Sequence, residues 1–492
     1  MTRFYPWWLG AVVFVLIVRA VSLPAYPLTD TTEARYGEVA RLMSTSGNWI
    51  TPQLVAGEPF WAKPPLSFWQ GATSINLFGV SELSLRLPAF VNMLLVMVSV
   101  YIFSMRVLGR EQAIISIFVL ATTVVGFVTA GSVMTDSAML ISTTLVMVSF
   151  WLALDSKHPC WGYVFFIALA LGFLAKGPIA LVMSGVPIVL WIAVERQWPK
   201  VVRSLPIVEG TAVFAAIALP WFLIAEMKTP GFLEYFFIGE HLQRYLDSGW
   251  NGDRYGTAHD EPRGTIWLFA LAAYFPWSLI LLGWAALRVI SKPNRLFPSV
   301  RSLSPLIRYL LLWCLWPMIF FSFAGNILPT YVLSGLPAFA LLLAMLCLQM
   351  KKRHLLILPG LIMPAIVFLS APLGLLDILE GESQAALIAD IRQHYPDEAI
   401  IFVGEPPHSA RFYTQGTVEA IPTINSLHSQ LSYLDSAVIV AADDTLATQY
   451  ETVYSFTPFT HNTTYTAYYY DRLSDRIINT LSMNHHIKKT PR

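Results

Sequence analysis

Between two long apolar stretches the chain reads Asp30-Thr31-Thr32-Glu33-Ala34-Arg35-Tyr36, and then Phe60-Trp61-Ala62-Lys63-Pro64-Pro65-Leu66. Fixed charges beside a bilayer are costly and ordinarily serve a charged substrate. Asp30 and Glu33 are carboxylates suited to general-base chemistry or metal ligation. Their Asp-x-x-Glu spacing before an amphipathic helix is also that of a capping box, and a capping carboxylate can still face a cavity. Arg35 and Lys63 are candidate anion binders, because a guanidinium grips phosphate as a fork and an ammonium acts as a point charge. Their plainer roles are an i,i+3 pair of Arg35 with Glu38 and snorkelling of Lys63 to the interface.

Four later stretches extend the set. Asp136 follows Gly131-Ser132-Val133-Met134-Thr135 at the outer start of an apolar segment, where it is either a catalytic carboxylate or a complement to the helix dipole. Lys176, in Ala175-Lys176-Gly177-Pro178, occupies a tight outward turn. The positive-inside bias disfavours lysine there, so a phosphate or sugar contact competes with a simple marker of the membrane edge. In Glu240-His241-Leu242-Gln243-Arg244, His241 and Arg244 share a face if the segment is helical. His241 is a candidate metal ligand or phosphate donor, or an ordinary polar loop residue; His259 is a weaker candidate. Asn326-Ile327-Leu328-Pro329-Thr330-Tyr331 is an outward turn in which Pro329 suits a helix start. Tyr331 is either an interfacial aromatic or a hydrogen-bond partner for sugar or phosphate.

The elements that must position these side chains are apolar helices. Of 492 residues, 55% are hydrophobic and 13% charged, against about 25% charged in a soluble domain. Eleven windows are long enough to span a hydrocarbon core: 7–23, 84–105, 111–130, 136–154, 161–175, 178–195, 207–226, 265–288, 308–325, 331–349 and 354–376. The first lacks a small-x-small cleavage site and reads as a retained anchor. With a cytoplasmic N-terminus, the inward loops collect Arg106, Arg110, Lys157, Arg196, Lys200, Arg203, Lys292, Arg295, Arg301, Lys351, Lys352 and Arg353, a positive-inside pattern. An odd span count then puts the tail outside. The net charge of +1 offers no electrostatic case for nucleic acid. Cys160, Cys314 and Cys347 leave the outward portion without cysteine, so no disulfide framework or zinc ribbon is expected there.

The chain divides into a membrane domain, 1–376, and a polar tail, 377–492. The tail reads as a small α/β domain, with a helix over 383–394 and strands over 399–403, 437–441 and 465–470. Gly404-Glu405-Pro406-Pro407 follows a strand but lacks the spacing of a phosphate loop. In the first long loop, 24–83, Tyr36, Val39, Ala40 and Met43 recur at helical spacing. They predict a helix lying on the membrane surface, with Arg35, Glu38 and Arg41 on its other faces. A second apolar helix, with Phe68, Trp69 and Leu77, is entered at Pro64-Pro65. The other long loop is 227–264. All the candidates fall on the outward side, and no acid or base is expected deep in a span apart from Arg19, near the outer end of the first window. A transporter places ionisable groups near the midplane instead.

The stretches Glu33-Ala34-Arg35-Tyr36-Gly37-Glu38, Gly47-Asn48-Trp49-Ile50, Phe60 to Leu66 around Lys63, Ala175-Lys176-Gly177, Glu240 to Arg244 and Leu328-Pro329-Thr330-Tyr331 carry a family resemblance. The chain resembles the aminoarabinose-transferase branch of the polyprenyl-phosphate-dependent glycosyltransferases, polytopic enzymes of the GT-C fold related to protein O-mannosyltransferases. The resemblance implies a polytopic α-helical membrane protein of about eleven or more spans, surface helices in the first periplasmic loop, a lipid-facing cavity and a periplasmic C-terminal domain. It implies a sugar donor on undecaprenyl phosphate, held by Arg35, Lys63, Lys176, Arg244 and Tyr331. Tyr36, His241 and Asn326 would line the cavity. Three positions depart from the family pattern. Its Asp-Glu pair is here Thr32-Glu33 with an aspartate at Asp30, the acid before its Lys-Pro turn is Ala62, and a lysine near the last motif is replaced around Gly325-Asn326.

The expectation is a multi-pass bacterial inner-membrane glycosyltransferase working at the periplasmic face. It would move a sugar to lipid A, lipopolysaccharide or protein, with Glu33, Asp30 or Asp136 as base. A divalent cation is a candidate cofactor, with His241 as its candidate ligand. The competing classes are a flippase or transporter of a lipid-linked substrate, and a glycan ligase or polymerase using a lipid pyrophosphate.

Overall fold

The computed structural model describes residues 5–155, 158–247, 249–256, 259, 261–291, 302–350, 353–370, 372–373, 381–423, 426–427, 431, 433–442, 451–456 and 465–471. Lys157, Lys292, Arg295, Arg301, Lys351 and Lys352 lie outside the described residues. Two compact units emerge: residues 1–24 with 39–369, and residues 25–38 with 370–492.

The first unit is helical. Its helices are α1 (Tyr5–Ser22), α2 (Thr32–Ser46, whose first residues belong to the second unit), α3 (Leu66–Phe78), α4 (Glu82–Val107), α5 (Arg110–Thr122), α6 (Val124–Thr129), α7 (Asp136–Asp155), α8 (Cys160–Lys176), α9 (Pro178–Glu195), α10 (Trp198–Ser204) and α11 (Ile207–Lys228). Helices Thr265–Ala273, Trp277–Ser291, Pro305–Phe321 and Leu336–Cys347 follow. Local chemistry sets the boundaries. Ser81 and Ser84 form a capping box at the start of α4. Gly177, at φ +70°, ends α8, and Pro178 opens α9 with the φ a first turn wants.

Among the described residues, five helical stretches are long and apolar enough to cross a membrane: 82–107, 136–155, 178–195, 207–228 and 329–347. Four shorter apolar helices accompany them, Trp7–Ser22, Cys160–Lys176, Pro305–Phe321 and Ile357–Ser370. Two expected single spans are broken. The window 111–130 divides at Thr123, whose extended backbone lets its hydroxyl accept from the Gly126 amide at 3.2 Å, while the Val124 amide donates to the Phe275 carbonyl at 2.9 Å. The window 265–288 bends by 105° between Ala273 and Trp277, where Pro276 has no amide hydrogen to continue a helix. The window 354–376 holds Arg353–Leu356, Ile357–Gly360 and Ile362–Ser370, and its positions 371 and 374–376 lie outside the described residues. Arg19 has company among the buried cations: Arg86 in α4 is fully buried and donates to the Leu23 carbonyl at 2.8 Å.

Large aromatics fill the bundle, and several find a partner for the polar end. Tyr309 donates to the Met147 carbonyl at 2.7 Å, Trp277 to the Thr122 hydroxyl at 2.9 Å and Trp313 to the Ser334 carbonyl at 2.7 Å. The expected surface helix of the first loop is α2, and Tyr36, Val39, Ala40 and Met43 are all buried. Glu38 and Arg41, placed by the sequence pattern on its other faces, are buried as well, so α2 is enclosed on more than one side.

The second unit is a mixed sheet with helices. Strands β3 (Ala399–Val403), β4 (Glu419–Ile421), β5 (Ser436–Ala441), β6 (Glu451–Phe456) and β7 (Tyr465–Asp471) follow the first-loop hairpin of β1 (Gln53–Val55) and β2 (Glu58–Pro59). The order is β4-β3-β5-β7-β6, with β3 parallel to both β4 and β5, and β7 antiparallel to β5 and β6. Alternating residues of β3 and β5 feed two cores. Ile400, Phe402, Val438 and Val440 face one side with Leu387 and Ile391 of the helix Ala385–His394, and Ile401, Ala437 and Ile439 face the other.

Candidate functional site

In the first unit, Glu240 gathers the cations that the sequence scattered. It lies in a π-helical stretch, Tyr235–Gln243, that runs into Arg244–Leu246. Phe232 and Phe236 seat this stretch among Phe173, Trp221 and Phe222. Lys63 Nζ donates to Glu240 Oε2 at 3.2 Å and to the carbonyl of Ala62 at 2.9 Å. Arg244 reaches both Glu240 oxygens, at 3.3 and 3.1 Å, and lies 3.4 Å from Asp253. The Tyr235 hydroxyl donates to Glu240 Oε1 at 3.2 Å. The Glu240 side chain keeps only 3% of its exposure, against 19% for Lys63 and 22% for Arg244. Burial alone raises the Glu240 carboxyl, but Lys63 and Arg244 outweigh it and hold the group below its ordinary value. Burial and the Glu240 charge together push the Tyr235 hydroxyl upward, so it stays a donor.

The loop bearing Lys63 is tied down on both flanks. The Tyr255 hydroxyl donates to the Pro59 carbonyl at 2.9 Å and accepts from the Trp61 amide at 3.1 Å. The Trp61 indole donates to Thr229 Oγ1 at 3.1 Å. The Gly47-Asn48-Trp49-Ile50 turn is an Asx turn, with Asn48 Oδ1 accepting from the amides of Ile50 and Thr51 at 3.3 and 3.1 Å.

Lys176 joins from the α8–α9 turn. Its Nζ donates to Asp136 Oδ1 at 2.8 Å and sits 5.4 Å from the centre of the Tyr331 ring. Asp136 is the first residue of α7, so it serves the helix N-terminus and Lys176 at once. Tyr331 is close enough to Lys63, Arg244, Asp136 and Glu240 to interact with each electrostatically. His241 braces the arrangement: Nδ1 lies 2.8 Å from the Phe236 carbonyl and Nε2 3.1 Å from the Lys176 carbonyl. Burial depresses its pKa, with a further contribution from Lys63, while the two carbonyls pull it back up. Both ring nitrogens face carbonyl oxygens, so neither presents a lone pair to a metal. Among the described residues no three His, Cys, Asp or Glu side chains are grouped to hold one. The His241 metal-ligand expectation therefore does not fit this donor set.

Two polar atoms at this end have protons to offer. Arg244 Nε is buried with no hydrogen-bond partner, and so is Asn326 Nδ2. Asn326 Oδ1 accepts from the His259 amide at 3.3 Å, which gives His259 a backbone part in the loop. Lys63 carries three donors and uses two, leaving one for an incoming anion.

The other expected site residues lie in the second unit. The Asp30 carboxylate is engaged by the tail: it accepts from the Ser409 amide at 3.0 Å and from the Ser409 hydroxyl. Burial raises Asp30 to about 6 even though Ser409 pulls the other way. Glu33 is buried in the first turn of α2, and the Arg35 guanidinium lies 5.4 Å from the centre of the Tyr36 ring. Sequence reasoning missed Glu240, Asp253, Tyr235 and Ser409 as partners. The i,i+4 spacing of Glu240 and Arg244 was a readable signal for one of those pairs.

Comparison with known proteins bears on this geometry. The family model described as dolichyl-phosphate-mannose-protein mannosyltransferase matches residues 8–236. The undecaprenyl phosphate-alpha-4-amino-4-deoxy-L-arabinose arabinosyl transferase of Edwardsiella ictaluri is 28% identical over 354 residues, covering 70% of this chain and 60% of the relative. Its counterpart in Aeromonas hydrophila is 29% identical over 348 residues, covering 69% and 60%. The match thus spans less than two thirds of the length of these relatives. The crystal structure of ArnT from Cupriavidus metallidurans bound to undecaprenyl phosphate superposes with a TM-score of 0.73 at 19% identity, covering 94% of this chain and 98% of that one. The fold is accordingly that of a helical GT-C membrane protein.

Proposed function

We propose that the chain is a member of the GT-C family that unites aminoarabinose transferases with protein mannosyltransferases, and that it transfers a sugar from an undecaprenyl or related polyprenyl phosphate to an envelope acceptor. Lipid A, lipopolysaccharide or a protein at the periplasmic face of the inner membrane is the acceptor class. The observation that carries the reading is the convergence of Lys63, Lys176 and Arg244, from three separate connections, around Glu240, Asp136 and Tyr331.

In this reading Lys63, Arg244 and Lys176, with Tyr331, hold the donor phosphate. The anomeric C–O bond breaks with its electron pair leaving onto phosphate oxygen, and preorganised cations stabilise that charge. Glu240 keeps Lys63 and Arg244 in place before the lipid arrives. Glu33, buried in the first turn of α2, is the carboxylate we assign to take the proton of the acceptor hydroxyl as that oxygen attacks the anomeric carbon. An acceptor phosphate is already anionic and needs no base. The proposal includes eleven spans, a cytoplasmic N-terminus, a membrane domain over 1–376 and a periplasmic domain over 377–492.

Purified protein incubated with radiolabelled undecaprenyl-phosphate sugar and lipid A tests it. We expect donor consumption without a membrane gradient. Lys63→Ala lowers it by about 100-fold or more, the scale of a lost transition-state donor, and Glu33→Ala lowers it comparably at normal expression. Donor carried across proteoliposomes unchanged supports the transporter instead, and near-wild-type transfer by both variants removes this site.

A further inference from the structure

Within the second unit, the segment that carries Glu33 and Arg35 is held by four hydrogen bonds from the C-terminal part of the chain. The Leu28 amide donates to the Tyr413 hydroxyl at 2.8 Å. The Asp30 amide donates to the Glu382 carbonyl at 2.9 Å. The Ser409 amide donates to Asp30 Oδ1 at 3.0 Å, and the Ser409 hydroxyl donates to Asp30 Oδ2. These partners lie more than 350 positions away in sequence, so the contacts are bought with a large loop-closure entropy.

The hydroxyl of Ser409 is fixed in direction. It has one proton and also accepts from the Gln384 amide at 3.0 Å, so the proton is left for Asp30. Ser409 is fully buried, and burial makes each of these bonds costly to lose. The clasped residues are in turn bolted to the first turn of α2. The Thr29 carbonyl accepts from the Ala34 amide at 3.1 Å, and the Thr31 carbonyl accepts from the Arg35 amide at 3.3 Å. Glu33 immediately precedes those two amides, three residues from Asp30.

We propose that the C-terminal domain acts as a clasp on the first loop, and that Ser409 is a positioning residue, acting through Asp30 on the placement of Glu33 and Arg35. The positioning role rests on the transferase reading above; the clasp itself does not. Asp30 is then the anchor of the active segment rather than its base, and the tail has a function although it holds no catalytic motif. Donor-phosphate affinity falls chiefly to Lys63, Lys176 and Arg244, which lie in the other unit, so disturbing the clasp acts on turnover more than on donor binding.

Full-length wild type, Ser409→Ala, Tyr413→Phe and Ser409→Thr in nanodiscs provide the test. Amide hydrogen exchange of residues 25–38 and transfer kinetics are read on the same samples. Ser409→Ala is expected to speed exchange in 25–38 by about 10- to 100-fold, the equivalent of one lost hydrogen bond to a charged group. It is expected to lower kcat by about 10-fold or more, with donor KM within about twofold of wild type. Tyr413→Phe removes a single hydroxyl and gives a smaller change of the same kind. Ser409→Thr keeps the hydroxyl and restores both readouts. Unchanged exchange overturns the clasp. Faster exchange with unchanged kcat overturns the positioning role. A wild-type protein that consumes no donor overturns the transferase reading and the positioning role together, while exchange still decides the clasp.

Discussion

Glu240 in the first unit and Asp30 in the second are carboxylates taken out of water, and they respond in opposite directions. Glu240 faces Lys63 and Arg244, and their charges bring it below its ordinary value against the pull of burial. Asp30 has neutral donors, Ser409 and the His408 backbone, which do not overcome burial, and it rises to about 6. The charge of the partner, more than the number of hydrogen bonds, decides which way a buried acid moves. One site is thus a lasting anion holding Lys63 and Arg244 together. The other is a structural joint whose charge changes near neutral pH.

Removing Glu240 should give the largest effect. Glu240→Ala leaves Lys63 and Arg244 facing each other without their anion. Truncating one member of a buried pair costs ~3–5 kcal/mol, and the residual exposure of the two cations brings the expectation to about 2–3 kcal/mol. A lowered melting temperature in detergent checks this. Asp30→Asn keeps an acceptor for Ser409 and should cost only about 1 kcal/mol. Equal losses at the two positions would erase the contrast.

Gly177→Ala tests how the first site is held. Gly177 has φ +70°, and a Cβ there meets the Phe236 ring at 2.6 Å and His241 Cε1 at 3.3 Å. The clash and the left-handed backbone together should cost about 1–3 kcal/mol. They should also displace Lys176 from Asp136, lowering donor affinity in a binding titration with undecaprenyl phosphate. Wild-type stability and affinity would mean that the His241 brace does not set the Lys176 turn.

The second site should show a subtler signature in pH. The folded pKa of Asp30, about 6, lies above the ordinary 3.8. Its contribution to stability is full below the ordinary value and is lost as pH rises through about 6. His408, beside Ser409, is moved the other way: burial first, then Arg35 and Arg411, lower it from 6.5 to about 4, against Glu405. Its contribution is present above 6.5 and is lost as pH falls through about 4. The two slopes oppose each other in the wild type. Asp30→Asn should therefore leave tail protection rising from pH 4 to 6.5, and His408→Asn should leave it falling over 4 to 6. Hydrogen exchange of β3 and β5 across that range reads both; parallel slopes in the two variants would refute the assignment.

Much of this was legible from residue order. Long apolar runs are helices because a backbone without water must satisfy itself locally, and helices occupy each of the eleven windows. Lys63, Lys176 and Arg244 stood out because charge is rare in so apolar a chain. The break at Pro276 was readable from a proline within an apolar run. The break at Thr123 was not, since it depends on the Phe275 carbonyl brought up from elsewhere in the bundle. The partnership of Lys63 with Glu240 spans 177 positions, and that of Asp30 with Ser409 spans 379. No local pattern announces either.

Residue order by itself determined where the apolar helices run, the tail strands β3, β5 and β7 and the inventory of charges, because those follow from hydrophobic periodicity and from chemistry carried by single residues. Tertiary structure alone decided which charges meet. It put Glu240 among cations and Asp30 against a serine, and so made one acid an electrostatic organiser and the other a hinge-pin. Pairing energies depend on distance through space and on burial, and neither quantity is written along the chain.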